Sequence, residues 1–115
     1  MTASFQLNED GALLVGALEG DVDLASARDL STEILRGVST DARGLVLDLT
    51  NVRYLDSTGV SMLLDLHRSL DSRRQRMSVI VPSTSHLWRL FEITGLRSIL
   101  RIGQTLAEAK AAAEQ

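Results

Sequence analysis

The chain has 115 residues, is 44% hydrophobic and contains no cysteine, which allows one domain with a continuous core and excludes disulfides, thiolate metal sites and cysteine nucleophiles. A formal net charge of −3 with a single Trp and a single Tyr argues against a broad basic footprint or an aromatic stacking platform for nucleic acid. No basic segment followed by an apolar run opens the sequence and no stretch approaches the ~20 apolar residues that span a bilayer, so a cytoplasmic protein without membrane insertion is expected.

The chain opens as a hairpin. Phe5 and Leu7 alternate with polar residues, Asn8-Glu9-Asp10-Gly11 carries turn chemistry, and Ala12 to Leu18 is an apolar run. After Gly20-Asp21-Val22-Asp23 the period becomes helical, which predicts Leu24, Ala27, Leu30, Ile34 and Val38 on one face with Asp23 as the cap. Gly44 precedes Leu45-Val46-Leu47-Asp48-Leu49, a nearly continuous apolar run that suits a strand covered on both faces. Thr50 to Asp56 reads as a loop. Val60, Leu63, Leu64, His67 and Leu70 then predict a second helix, ending at a solvated turn that holds Arg73, Arg74 and Arg76. Met77 to Val81 is the next strand, closed by Pro82. Ser83 to Ser85 can cap a third helix that turns Leu87, Leu90 and Phe91 inward and stops at Gly95. A short strand over Ile99 to Ile102 follows, and then a last helix from Thr105 to Gln115 with Leu106, Ala109 and Ala113 on one face.

Strands alternating with helices predict an α/β fold: a mixed, mostly parallel sheet, opened by an N-terminal antiparallel hairpin and carrying about four helices. Open sheets of this kind bind at the loops that leave the C-terminal ends of their strands. Two such loops stand out, Gly20 to Asp23 and Asn51 to Gly59.

The segment Tyr54-Leu55-Asp56-Ser57-Thr58-Gly59 joins a strand to a helix, so Ser57 or Thr58 falls beside the first free amides of that helix. An oxygen acceptor or an anion is favoured there, and a plain helix cap has the same sequence signature. A phosphoryl group at this point adds about −1.5 to −2 charges, tolerable to the helix end yet repulsive beside Asp56 and toward an acidic or closely fitted partner. Catalysis lacks a base: the Gly-x-Ser-x-Gly elbow is absent, His67 lies far down the same helix, and His86 has no companion at metal spacing. Asp21, Asp23 and Asp56 could gather around a divalent cation at adjacent loop tips, although loop acids are usually caps, and no metal is expected. No glycine-rich phosphate cradle occurs, and no cofactor is expected.

At these residues the chain resembles the STAS domain family, in particular its stand-alone bacterial anti-sigma factor antagonists. The resemblance covers nearly the whole of residues 1–115, read as one domain. It is carried in order by Gly20-Asp21-Val22-Asp23, the strand Leu45 to Leu49, Tyr54-Leu55-Asp56-Ser57-Thr58-Gly59, and Leu90-Phe91-Glu92-Ile93-Thr94-Gly95-Leu96. It implies a regulatory binding protein, not an enzyme. The unphosphorylated form binds an anti-sigma factor that is itself an ATP-dependent serine kinase and frees its sigma factor; phosphorylation of Ser57 weakens that binding, and a serine phosphatase resets it. By the same resemblance Asp56 supports phosphorylation, Thr58 is a neighbouring and competing acceptor, and the partner surface takes in Asp56, Ser57, Thr58 and Gly59, with Gly20, Asp21 and Asp23 as its second part. Direct nucleic-acid and membrane partners are not implied, and a weak homodimer is left open. The family also contains non-switching members, scaffolds and accessory subunits of larger complexes, which is the alternative reading. Val22 and Thr58 differ from residues often found there, and neither change removes a function-bearing group.

Overall fold

In a computed structural model that describes residues 3–114, Ser4 to Asp10 forms strand β1 (Ser4–Asp10), paired antiparallel with β2 (Leu13–Val22). The turn is tighter than Asn8 to Gly11. Only Gly11 and Ala12 are left between the paired ends Asp10 and Leu13, and Gly11 supplies a positive φ of 64° of the kind two-residue hairpin turns need. Strands β3 (Gly44–Leu55), β4 (Arg76–Ile80) and β5 (Arg101–Gly103) then add in parallel, giving the sheet order β1-β2-β3-β4-β5. Helices α1 (Ala27–Gly37), α2 (Ser57–Ser72) and α3 (Leu87–Thr94) lie in the connections, and α4 (Leu106–Ala113) follows β5. This is the expected mixed sheet with an antiparallel opening.

The apolar run of β3 is buried on both faces, as its composition requires. Leu45, Leu47 and Leu49 sit in one cluster with Ile34 of α1, Leu63 and Leu66 of α2 and Phe91 of α3. Val46 belongs to a second, smaller cluster with Leu13, Ile80, Ala109 and Ala113, where α4 covers the other face. Small residues let α4 come close: a Cβ at Gly103 would stand 2.9 Å from the Ala109 Cα. The Ser78 hydroxyl, buried under this helix, donates to the Ala109 carbonyl at 2.7 Å.

Several local expectations change. Thr50 to Leu55 is strand, not loop, and pairs with Glu19 to Val22. The ladder shifts register between Ala17 and Glu19 and again between Gly20 and Asp21, each time leaving an extra residue on β3. These bulges break the alternation that would have announced a strand. Gly20 to Val22 is correspondingly the end of β2, not a turn, and Gly20 has φ 94°. Leu24 is 76% exposed instead of facing the core, because a turn intervenes and α1 begins only at Ala27. On α2 the buried positions are Gly59, Met62, Leu63, Leu66 and Leu70, with Val60, Leu64 and His67 at the edge. A 3₁₀ turn over Leu96–Ser98 displaces the last strand from Ile99–Ile102 to Arg101–Gly103. Leu106 is exposed, so α4 buries its alanines alone. Gly95 does end α3 in the left-handed conformation at φ 77°, and the Ser85 hydroxyl accepts from the Leu87 amide at 3.1 Å near its start. The expected helix through Gln115 extends one residue outside the described residues.

Candidate functional site

Adjacent parallel strands end side by side, so the segments after β2 and β3 meet. Asp21 is registered with Tyr54 and Val22 with Leu55, and the Asp56 amide donates to the Val22 carbonyl at 3.3 Å. That bond holds Asp56 in extended conformation ahead of α2, where its carboxylate accepts from the Gly59 amide at 3.0 Å. Asp56 is therefore the helix cap. Ser57 is the first helical residue and is exposed, and no hydrogen bond among the described residues uses its hydroxyl. The capping role, which the sequence left open among these residues, therefore falls to Asp56 and not to Ser57. Thr58 is half-buried, beside a groove of about 300 Å³ between α1 and α2 whose other walls include Ala27, Arg28, Ser61, Met62 and Asp65. Gly59 is buried where a Cβ would stand 2.7 Å from the Val22 carbonyl oxygen and collide with the Leu55 side chain.

The β2 segment is built for rigidity. The Asp23 carboxylate accepts from the amides of Ala25 at 3.0 Å and Ser26 at 3.3 Å, while the Ser26 hydroxyl accepts from the Asp23 amide at 3.1 Å. This reciprocal pattern has capping-box spacing but closes the turn ahead of α1, whose N-cap position is Ser26 and lacks a side-chain cap bond, so Asp23 is not the cap expected for that helix. Sequence reasoning overlooked Ser26, although the spacing Asp23-x-x-Ser26 is its signal. Asp21 pairs with Arg53 at 3.6 Å, and the His86 Nε2 hydrogen-bonds the Arg53 carbonyl. Arg53 was also overlooked; it is the residue skipped in the β2–β3 register at the second bulge, which no local pattern marks.

Two apolar side chains, Leu24 at 76% and Tyr54 at 54% exposure, flank this pole on the segments that leave β2 and close β3. The site thus presents a free hydroxyl, a capped helix start and apolar anchors. His67 is ten residues beyond Ser57 on the same helix, about 15 Å along its axis. Among the described residues no group of three or more His, Cys, Asp or Glu stands together as metal ligands would. None of their helices is long and apolar enough to cross a membrane.

The capping role has a measurable consequence. Asp56→Ala should lower stability by about 1 kcal/mol and Asp56→Asn by much less, because the amide oxygen can still accept from Gly59. Equilibrium urea unfolding of both variants checks this.

The sequence matches the family described as STAS domain over residues 4–109. The chain belongs to the STAS domain family. Relatives of this domain include the anti-sigma-B factor antagonist of Listeria monocytogenes, 44% identical over 61 residues. That match takes in 51% of this chain and 53% of the relative, so the chain spans about half the relative's length. BtrV of Bordetella bronchiseptica, a candidate anti-sigma factor antagonist, is 32% identical over 87% of this chain and 85% of its own. Among solved structures, an anti-sigma factor antagonist from Mycobacterium paratuberculosis has the same fold, with TM-score 0.85 at 23% identity over 98% of this chain and 95% of that one. In this STAS domain, Gly20, Asp21 and Asp23 lie at and just beyond the end of β2, and Asp56, Ser57, Thr58 and Gly59 lie at the adjoining start of α2. Of these, Gly20, Asp23, Asp56 and Gly59 serve the backbone directly.

Proposed function

We propose that this STAS domain is an anti-sigma factor antagonist. It acts in the cytoplasm as one unit over residues 1–115, binding an anti-sigma factor that is an ATP-dependent serine kinase and thereby releasing the sigma factor. Phosphorylation of Ser57 weakens the interaction and a serine phosphatase restores it. The observation that carries the reading is the Ser57 hydroxyl, exposed at the first position of α2 and left out of the cap that Asp56 makes. A serine needed to hold the helix would be a poor acceptor, since modification would break the cap. Here the modified oxygen is structurally idle.

The names of the relatives support the same reading, as does the pairing of an exposed hydroxyl with the apolar side chains Leu24 and Tyr54 on one pole. The partner contacts in this reading are Gly20, Asp21, Asp23, Asp56, Ser57, Thr58 and Gly59. The test is incubation with the anti-sigma kinase encoded nearest in the same genome, with ATP and magnesium, followed by mass spectrometry. One phosphate on Ser57 is expected, accompanied by loss of the complex on gel filtration. A stable assembly with no phosphate transfer would instead make the domain a scaffold.

A further inference from the structure

Helix α2 carries the chain from Ser57 across the molecule to the edge where β4 begins, and that edge is rich in arginine. Arg43 precedes β3, Arg73 and Arg74 follow α2, Arg76 opens β4 and Arg101 opens β5. Backbone pairing gathers them: the Arg76 amide donates to the Arg43 carbonyl at 3.1 Å, and Arg101 is registered with Ser78 of β4. Arg74, Arg76 and Arg101, together with Asp71 and Gln75, line a concavity of about 320 Å³. None of the five arginines forms an ion pair among the described residues. In a chain of net charge −3 this is a concentrated positive rim.

Arg74 holds an unusual backbone position in this rim. The Gln75 amide donates to the Leu70 carbonyl at 2.9 Å and the Arg74 amide to the Asp71 carbonyl at 2.9 Å, the two bonds of a Schellman helix end. Its left-handed position is normally glycine, yet Arg74 occupies it at φ 61°. The left-handed conformation closes the helix end through those two bonds, and glycine would adopt it with less strain than arginine does. Gln75 adds a fixed group: its Nε2 donates to the carbonyls of Ser39 at 2.8 Å and Ala42 at 2.9 Å, so the amide cannot flip, and its buried Oε1 has no partner.

We propose that this arginine-lined concavity is a second binding site, for a small ligand bearing a phosphate group. Guanidinium forks match phosphate oxygens in charge and geometry. A concave site of this size suits one head group better than a duplex or a flat bilayer, and the overall negative charge opposes long polyanions. The proposal does not depend on the role given to Ser57.

Calorimetry with inorganic pyrophosphate at low salt tests it. Saturable one-to-one binding is expected, weakened about tenfold in Arg74→Gly, the effect of losing one charge-assisted contact, and strengthened in Asp71→Asn. The same Arg74→Gly change should raise the thermal midpoint by a few degrees, since glycine suits the left-handed position, so weaker binding cannot be blamed on unfolding. A lipid source of the phosphate is separated by vesicles of phosphatidylglycerol in phosphatidylcholine. Cosedimentation that pyrophosphate abolishes supports the same site. Vesicle binding without pyrophosphate binding, no saturable binding at all, or full binding by Arg74→Gly overturns the proposal.

Discussion

A phosphate on Ser57 should weaken binding to the anti-sigma partner by about 100-fold, which corresponds to roughly 2.7 kcal/mol. It should do so while leaving the stability of the domain within about 0.5 kcal/mol of the unmodified protein, as for a surface change that breaks no named contact. Two opposing local effects make the fold indifferent. The positive end of α2 favours the added charge, whereas the Asp56 carboxylate, fixed one residue away by its 3.0 Å bond to the Gly59 amide, opposes it. At a closely fitted interface the balance changes, because a buried like charge or an unpaired dianion costs several kcal/mol. Ser57→Asp should reproduce only part of the loss, since one carboxylate has less charge and fewer acceptor oxygens than a phosphate. Ser57→Ala should bind with full affinity and accept no phosphate. Calorimetry against the purified kinase, with each form checked by urea unfolding, measures both quantities. Equal affinity of the phosphorylated and free forms would sink the switch, and phosphate appearing on Thr58 in the wild type would sink the assignment of the acceptor.

Gly59→Ala should destabilise the domain by about 1–3 kcal/mol, lowering the thermal midpoint by roughly 5–15 °C. The sign is the informative part. In an exposed helix interior the same change would stabilise by about 1 kcal/mol, because alanine is the better helix former. At Gly59 the added methyl would meet the Val22 carbonyl oxygen at 2.7 Å as well as the Leu55 side chain. A side chain can swing aside. The carbonyl is held by the β2–β3 ladder and also accepts from the Asp56 amide, so relief requires moving the cap itself. The variant should therefore also bind the partner less well than its stability alone predicts. A midpoint that rises in differential scanning calorimetry would show that the strand end and the helix start are not in close contact.

Much of this architecture follows from local rules. The run Leu45 to Leu49 could belong only to a strand covered on both faces, and the two clusters that receive Leu47 and Val46 are that expectation realised. Gly95 ends α3 because a left-handed residue is cheapest as glycine. The segment Asp56 to Gly59 was recognisable as a helix start because its residues are good caps, and its likeness to the STAS family pointed to Ser57. Local rules failed where pairing partners, not neighbours, decide the conformation. Thr50 to Leu55 has no strand-like alternation since it carries two extra residues relative to β2, so only the partner strand reveals it as β3.

The same distinction divides the site. Aspartate and serine are almost equally good caps, so the order Asp56-Ser57-Thr58 left the choice among them open. The bond from the Asp56 amide to the Val22 carbonyl, made across more than thirty intervening residues, orients Asp56 as the cap and leaves the Ser57 hydroxyl unused. The arginines at the far end of α2 follow the same logic: Arg73, Arg74 and Arg76 were visible as a short charge run, while Arg43 and Arg101 join them only because β3, β4 and β5 lie side by side. Periodicity and caps depend on residues within a turn or two of one another and are written in the chain. Which hydroxyl is free, and which charges converge, depends on contacts between strands far apart in sequence, and those exist only once the sheet has formed.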